Sequence, residues 1–566
     1  MIRSINALTG MVLGLALVQT PALADEAGLS GAYLAANSAA AVNDYREAAR
    51  YYAQALARDP EKPELLENAI VSLVALGELE RAVPLAEKLF DQGTNSQIAA
   101  LVRLADRIGD ADTVPDNPDN LSAVGDLVNG LAIAWALIEQ GRMSSALEAF
   151  DAIVAQQGLK EFGLYNKALA LALVGDFEGA DDILSAREAG PLGLTRRGII
   201  GRAQILSQLD RAPEALALIA ETYPNQDEPA LNALAARIRT GDAVPFDLVS
   251  SARDGHAEVF YTLAVAVRGG AEDGLTLIYS RIAEFLKPNH IDAVLLSAVL
   301  LEGLGQYDLA TRAYDRVPLD HPAYHSAEIG RAGALIASGE VDAAIEALRR
   351  LGKSHGSIPL VHVSLGDALR RLERYDEASA AYDRALALID DPAPEHWVLY
   401  YARGITFERE GKWDKAEADF HKALELRPNQ PLVLNYLGYS YVERGVKLDE
   451  ALRMIETAVT ERPNDGYITD SLGWALYRLG RVEEAVAPME KAVELTPLDP
   501  VINDHLGDVY WSVGRIREAE FQWRRALSFE PTEENAERIR KKLTLGLDAV
   551  LDAEAEDAKI KLAEDG

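Results

Sequence analysis

Residues 504–531 read DHLGDVYWSVGRIREAEFQWRRALSFEP, and the spacing of their small, aromatic and proline positions decides the architecture. Leu506, Gly507, Tyr510 and Trp511 recur at helical intervals, Gly514 breaks the run, and Ala519, Trp523 and Ala526 resume it before Pro531. That is the pattern of two short helices joined by a tight turn. Small residues at Gly507 and Ala519 let the two helices approach closely, and the Trp523 ring fills the space beside them. Pro531 stops the second helix, because proline has no N–H to give to a further turn.

The same order recurs along the chain. Thirty-four residues before Gly507 stands Gly473, with Ala485, Ala492 and Pro497 at matching offsets; Gly438, Gly404 and Gly366 come before it. Phe420 and Tyr382 take the place of Trp523, and Pro428 that of Pro531. In period and residue order this resembles the tetratricopeptide-repeat family. The resemblance implies an all-α fold, a superhelical solenoid of helix-turn-helix repeats in which each hairpin covers its apolar face by stacking on its neighbours. Fidelity fades toward the N-terminus, where Tyr45, Ala48, Tyr52, Ala55 and Pro60 mark a first repeat and Gly77 with Ala82 a second. Gly141 with Phe150, Gly175 with Ala180, Ala203 with Ala215, Gly305 with Tyr314 and Gly339 with Ala344 carry the pattern onward. About thirteen repeats are expected, with degenerate ones near 97–108 and 228–240.

The first residues differ in kind. Arg3 precedes an apolar run from Leu8 to Val18, too short to span a bilayer comfortably, and Pro21-Ala22-Leu23-Ala24 ends in the small-x-small pattern of a signal-peptidase site. Residues 1–24 are therefore expected to be a cleaved signal peptide, leaving a periplasmic or secreted protein. With no cysteine in the chain there is no lipid attachment site, so no direct membrane anchor is expected after cleavage.

Two stretches rich in Gly, Pro and Asp break register and are expected to be linkers, 109–120 and 241–255, each a candidate hinge. They divide the mature chain into N-terminal repeats at 25–108, degenerate repeats at 121–240 and a regular array at 256–531. A capping helix at 532–547 and a fraying acidic tail at 548–566 follow. The insertion Asp390–Pro394 lengthens one inter-repeat turn.

Composition excludes several function classes. The 56 basic and 89 acidic residues give a formal charge of -33, whose field repels phosphate backbones, so nucleic acid is not an expected partner. Absence of cysteine removes thiol nucleophiles, disulfides and Cys-ligated metal centres. Gly352-Lys353-Ser354 imitates the end of a phosphate-binding loop, but the glycine that loop needs five residues earlier is Ala347. His321 and His325 have the spacing of helical metal ligands, yet Pro318 and Pro322 place them at a repeat junction. The repeats leave no stretch of the order of 100 residues for a catalytic domain. No catalytic residue, metal or cofactor is therefore expected, and an enzyme would need a site of unrecognised kind.

In the tetratricopeptide fold the first helix of each repeat lines a concave groove. Carried onto this chain, that places Tyr401, Asn435, Tyr439, Asp470, Trp474, Tyr477, Asp504, Asp508 and Trp511 on the inner face of the last four repeats. Aromatic rings among acids and an amide offer apolar anchors and hydrogen bonds to a bound segment. The competing reading is that these rings pack between repeats. The basic inner face by which related cochaperones grip a terminal carboxylate is not matched at these positions. The C-terminal segments NYLGYSYVERGVKLDEALRMIETAV and DGYITDSLGWALYRLGRVEEAV resemble proteobacterial envelope tetratricopeptide proteins. Among these are adaptors that hold a carboxyl-terminal processing protease of the periplasm. The resemblance implies a scaffold or adaptor whose partners are other proteins of the cell envelope, such a protease among them. The alternative is a structural part of an envelope assembly or export complex.

Overall fold

The computed structural model describes residues 29–108, 124–185, 194–223, 228–241, 243–270 and 272–564. The signal segment 1–24 and the expected linker 109–120 lie outside the described residues. Among the described residues there are thirty α-helices and no strand, the all-α architecture that the period implied. The chain divides into two compact units, Met1–Ala347 and Leu348–Gly566.

The C-terminal unit is the regular one. Its hairpins pair Pro359–Arg371 with Tyr375–Leu386, Trp397–Arg409 with Trp413–Leu426, and Pro431–Glu443 with Leu448–Glu461; Gly466–Arg478 with Val482–Leu495 and Pro500–Ser512 with Ile516–Leu527 complete the series. The repeat glycines are where paired helices touch. A Cβ on Gly366 would lie 2.6 Å from Tyr382, on Gly404 2.7 Å from Phe420, and on Gly507 2.4 Å from Trp523. Carbon atoms in contact sit about 3.5–4 Å apart, so a side chain at these sites would displace the ring opposite. Ala378, Ala416, Ala451, Ala485 and Ala519 answer from the second helices, each with no exposed surface. Pro359, Pro431 and Pro500 open their helices where the missing N–H costs nothing, and Asp499 also caps its helix by accepting the Val501 and Ile502 N–H groups. The insertion at Asp390–Pro394 runs into a short 3-10 turn, Pro394–His396, before the next repeat.

The expected cap is the helix Glu533–Leu545. Beyond it the structure departs from expectation, because 548–566 does not begin as a fraying tail: a helix Leu547–Glu564 runs through most of it. Its Ala, Glu, Lys and Leu content favours helix, Leu547 and Val550 are buried, and Arg538 of the cap pairs with Glu554 at 2.7 Å.

The N-terminal unit begins with ordinary hairpins, Leu29–Ala41 with Tyr45–Leu56 and Pro63–Leu76 with Leu79–Asp91. It then breaks the expected rule of neighbour-only stacking. Helices Ala252–Val267 and Asp273–Leu286 lie across helices formed much earlier in the chain. A Cβ on Gly255 would lie 2.3 Å from the ring of Trp135, which is fully buried on the helix Asp126–Glu139. Arg281 donates to the carbonyl of Ala75 at 3.2 Å, tying the second helix to Pro63–Leu76. Composition explains the arrangement: Val259, Phe260, Ala264, Leu277, Ile278 and Ile282 spread apolar surface around both helices, which must then be covered on every side. The polar groups buried with them are satisfied. Glu258 has no exposed surface and accepts from Arg197 Nε at 2.8 Å and Tyr165 Oη at 2.9 Å, with His290 Nε2 at 3.3 Å.

The expected linker 241–255 is non-helical from 243 to 250, and the helix then begins at Ala252. A hinge does not fit its contacts. Val244, Leu248 and Val249 are buried. The Val244 N–H donates to Ser207 Oγ at 2.9 Å, Gln204 donates to Asp247 at 2.7 Å, and Lys287 donates to the Leu248 carbonyl at 3.1 Å. The segment is a strap fastened along its length.

Candidate protein-binding groove

In the C-terminal unit, the first helices of four successive repeats, Trp397–Arg409, Pro431–Glu443, Gly466–Arg478 and Pro500–Ser512, share a groove of about 390 Å³. Asn435, Tyr439 and Asp470, three of the nine residues singled out by sequence, line it. Asn435 Oδ1 is shielded from solvent and has no hydrogen-bond partner in the chain. A buried amide oxygen left unpaired costs about 1–3 kcal/mol. Burial raises the Tyr439 hydroxyl above its ordinary range, and Glu443 and Asp470 push it further in that direction, so it stays protonated and able to donate.

Asp470 is held from beneath. His505 Nδ1 lies 3.0 Å from its Oδ2, and the indole of Trp474 stacks on the His505 ring at 4.0 Å and 14°. Burial pulls the imidazole pKa down, but the carboxylates of Asp470, Asp504 and Asp508 outweigh it and leave the value raised. Trp474 in turn donates to Glu443 at 2.6 Å and stacks on Tyr477. Of these rings only His505 lines the groove; Trp474 and Tyr477 pack behind it against Glu443, His505 and each other. Tyr401 likewise packs within the chain, against Phe420 and Tyr436.

The remaining three predicted residues are taken by the chain's own C-terminus. Lys542 Nζ lies 2.8 Å from Asp504 and 2.7 Å from Asp508. Trp511 packs on Trp523, donates to Asp548 at 3.2 Å, and lies where a Cβ on Gly546 would come within 2.7 Å of it. The inner face of the last repeat is therefore closed by the two C-terminal helices, and the expectation of an open surface there is corrected. Its two acids supply the counter-charge that a buried lysine requires.

Sequence reasoning missed Tyr467 and Val501, which line the groove and are 60% and 41% exposed. Their signal was helical register: Tyr467 stands three residues before Asp470, and Val501 four before His505, so each shares a face with its partner.

The fragments that imitate active sites carry no such geometry. Gly352-Lys353-Ser354 ends the helix Val341–Ser354, whereas a phosphate loop needs a helix N-terminus. His321 Nδ1 accepts the Ala323 N–H, and His325 Nδ1 lies 3.1 Å from the Pro322 carbonyl. Among the described residues, no group of three or more His, Cys, Asp or Glu could hold a metal ion.

A family model described as tetratricopeptide repeat matches residues 33–96, 295–358 and 437–500, and a second of the same description matches 357–429. Those stretches are tetratricopeptide repeats. One relative is a TPR repeat-containing protein of Pseudomonas aeruginosa, 29% identical over 160 residues, or 28% of this chain and 26% of that one. Another, tetratricopeptide repeat protein 13 of Homo sapiens, is 30% identical over 185 residues, 31% of this chain and 21% of the relative. The match thus spans about a quarter of the length of these curated relatives. Among solved structures, the Cut9–Hcn1 hetero-tetramer of the APC/C aligns at a TM-score of 0.37 and 14% identity, covering 92% of this chain and 96% of that one. A tetratricopeptide repeat protein from Parabacteroides merdae aligns at 0.37 and 18%, covering 45% and 98%. The repeats themselves point to a protein-interaction scaffold.

Proposed function

We propose that this protein is a non-catalytic adaptor of the cell envelope, whose C-terminal unit holds a segment of a partner protein in the groove beneath Tyr467. The observation that carries the reading is the groove shared by four first helices, with exposed Tyr467 and Val501 beside Asn435 and Tyr439 in its lining. Tyr467 and Val501 supply apolar anchors, and the Tyr439 hydroxyl donates to a carbonyl of the bound segment. Export to the periplasm is supported by the signal-like residues 1–24. A carboxyl-terminal processing protease is the partner class supported by the likeness of the C-terminal repeats to envelope adaptors.

The test places a photo-cross-linking amino acid at position 467 of the full chain in living cells. Envelope proteins captured there, with a processing protease among them, are the expected result. Asn435→Leu should weaken capture while leaving the melting temperature unchanged or higher. Capture confined to cytoplasmic proteins, or a mature protein still beginning at Met1 in the cytoplasm, would overturn the envelope assignment. Stoichiometric recovery with a membrane complex would replace the adaptor by a structural role.

A further inference from the structure

Where the N-terminal unit closes on itself there is a second cleft, of about 680 Å³, with a charge opposite to that of the chain as a whole. Arg46, Arg50, Arg81, Arg281, Arg312 and Arg316 line it, against two acids, Glu78 and Glu284. In a protein with 56 basic and 89 acidic residues, so one-sided a set is the reverse of what the average surface supplies. The arginines come from helices far apart in sequence. Arg46 and Arg50 belong to Tyr45–Leu56, Arg81 to Leu79–Asp91, Arg281 to Asp273–Leu286 and Arg312 to Tyr307–Tyr314. Crossing by the central helices brings them together. Arg281 forms the floor, bound to Glu284 at 3.1 Å and to the Ala75 carbonyl.

Positive charge exceeds its local compensation. Arg46 and Arg312 share one carboxylate, Asp308, at 3.1 and 3.0 Å, and Arg281 and Arg316 share Glu284. Glu47 pairs with Arg50 and Glu78 with Arg81. Six guanidinium groups thus face four carboxylates. Side chains of Arg46, Arg81 and Arg312 are more than half exposed, and exposed pairs of this kind hold each other by no more than about 1 kcal/mol. A ligand carboxylate displaces such partners readily and gains bidentate contacts from the planar fork. Leu76, Phe285 and Leu309 add apolar surface between the charges.

We infer that this arginine-lined cleft binds an acidic peptide segment of a partner protein. Its volume lies in the range of sites that enclose a small ligand, so it admits a short segment rather than a duplex. A long nucleic-acid strand leaving the cleft would meet the field of a chain carrying -33, and Phe285 alone supplies an aromatic ring for stacking. A concave site does not fit a membrane surface. The inference is independent of the groove in the C-terminal unit.

Fluorescence anisotropy of a labelled hexaglutamate peptide with the full chain tests it. Binding should be strongest at low salt and weaken steeply as salt is added. The variant Arg50→Glu with Arg312→Glu, both exposed, should lose at least tenfold in affinity at unchanged helical circular dichroism. Should that reversal perturb the fold, Arg50→Gln with Arg312→Gln should still lose severalfold. A control reversal of two exposed arginines of the C-terminal unit, Arg453→Glu with Arg524→Glu, should leave binding unchanged. No binding of hexaglutamate, or equal losses in the control, would overturn the site. Tighter binding of an oligothymidylate, abolished by the same cleft variant, would assign it to nucleic acid instead.

Discussion

The ammonium of Lys542 lies 2.7 Å from each carboxylate oxygen of Asp508, and neither side chain has more than a trace of exposed surface. Trp523 donates to the same carboxylate at 2.9 Å. Burial raises the Asp508 carboxyl above its usual range, with Lys542 pulling the other way, so the pair is held together against a large desolvation cost. Lys542→Ala leaves Asp504 and Asp508 with only the more distant guanidinium of Arg538, at 3.8 and 3.7 Å. It should cost about 3–5 kcal/mol in urea denaturation. The deficit should narrow in acid, where protonation of Asp508, whose carboxyl burial already raises, removes the charge that Lys542 balanced.

Glu258 is the corresponding point in the N-terminal unit. Burial pushes its carboxyl up, but Arg197 and His290 more than reverse this, so it stays charged at any ordinary pH. Glu258→Gln is nearly isosteric but removes the charge facing Arg197. A loss of about 3–5 kcal/mol is expected, read as a lowered melting transition of the full chain.

His505 should titrate above an ordinary histidine, whose pKa is about 6.5. Because the fold holds this proton more tightly than the unfolded chain does, the contribution to stability is complete below about pH 6.5 and lost as pH rises through the folded value. NMR of selectively labelled imidazole C–H groups should show the raised midpoint. Asp470→Asn should lower it, since only the charges of Asp504 and Asp508 then oppose burial; an unmoved midpoint would refute the pairing.

Gly507→Ala sets a methyl group 2.4 Å from Trp523 and should destabilise by about 1–3 kcal/mol. Gly274→Ala is the control, on a helix where a Cβ meets nothing within 4 Å. It should be neutral, or stabilising by up to about 1 kcal/mol. Thermal melts of both variants decide.

The contact between Gly507 and Trp523 was legible in the sequence because both lie in one hairpin, and the repeat states the relation five times over. Asp508 was singled out by its place in the repeat, but its partner Lys542 belongs to a segment outside the period, so nothing in the repeat announced that this residue was covered. The reach of Arg281 to Ala75 was less legible still. A period records how each hairpin meets the next; it does not record which distant helix covers a surplus apolar face. The one available hint was that helices near 252–286 are apolar on too many sides for a stack covered by neighbours alone.

That crossing also sets an order of events in synthesis. The ribosome completes Pro63–Leu76 long before Arg281 exists, so the surface around Ala75 must wait, uncovered, for some two hundred further residues. Closing so long a loop is slow. The leading half of the nascent polypeptide therefore stays without its final partners through much of translation, open to chaperones, and becomes a finished body when the later helices arrive to lock it.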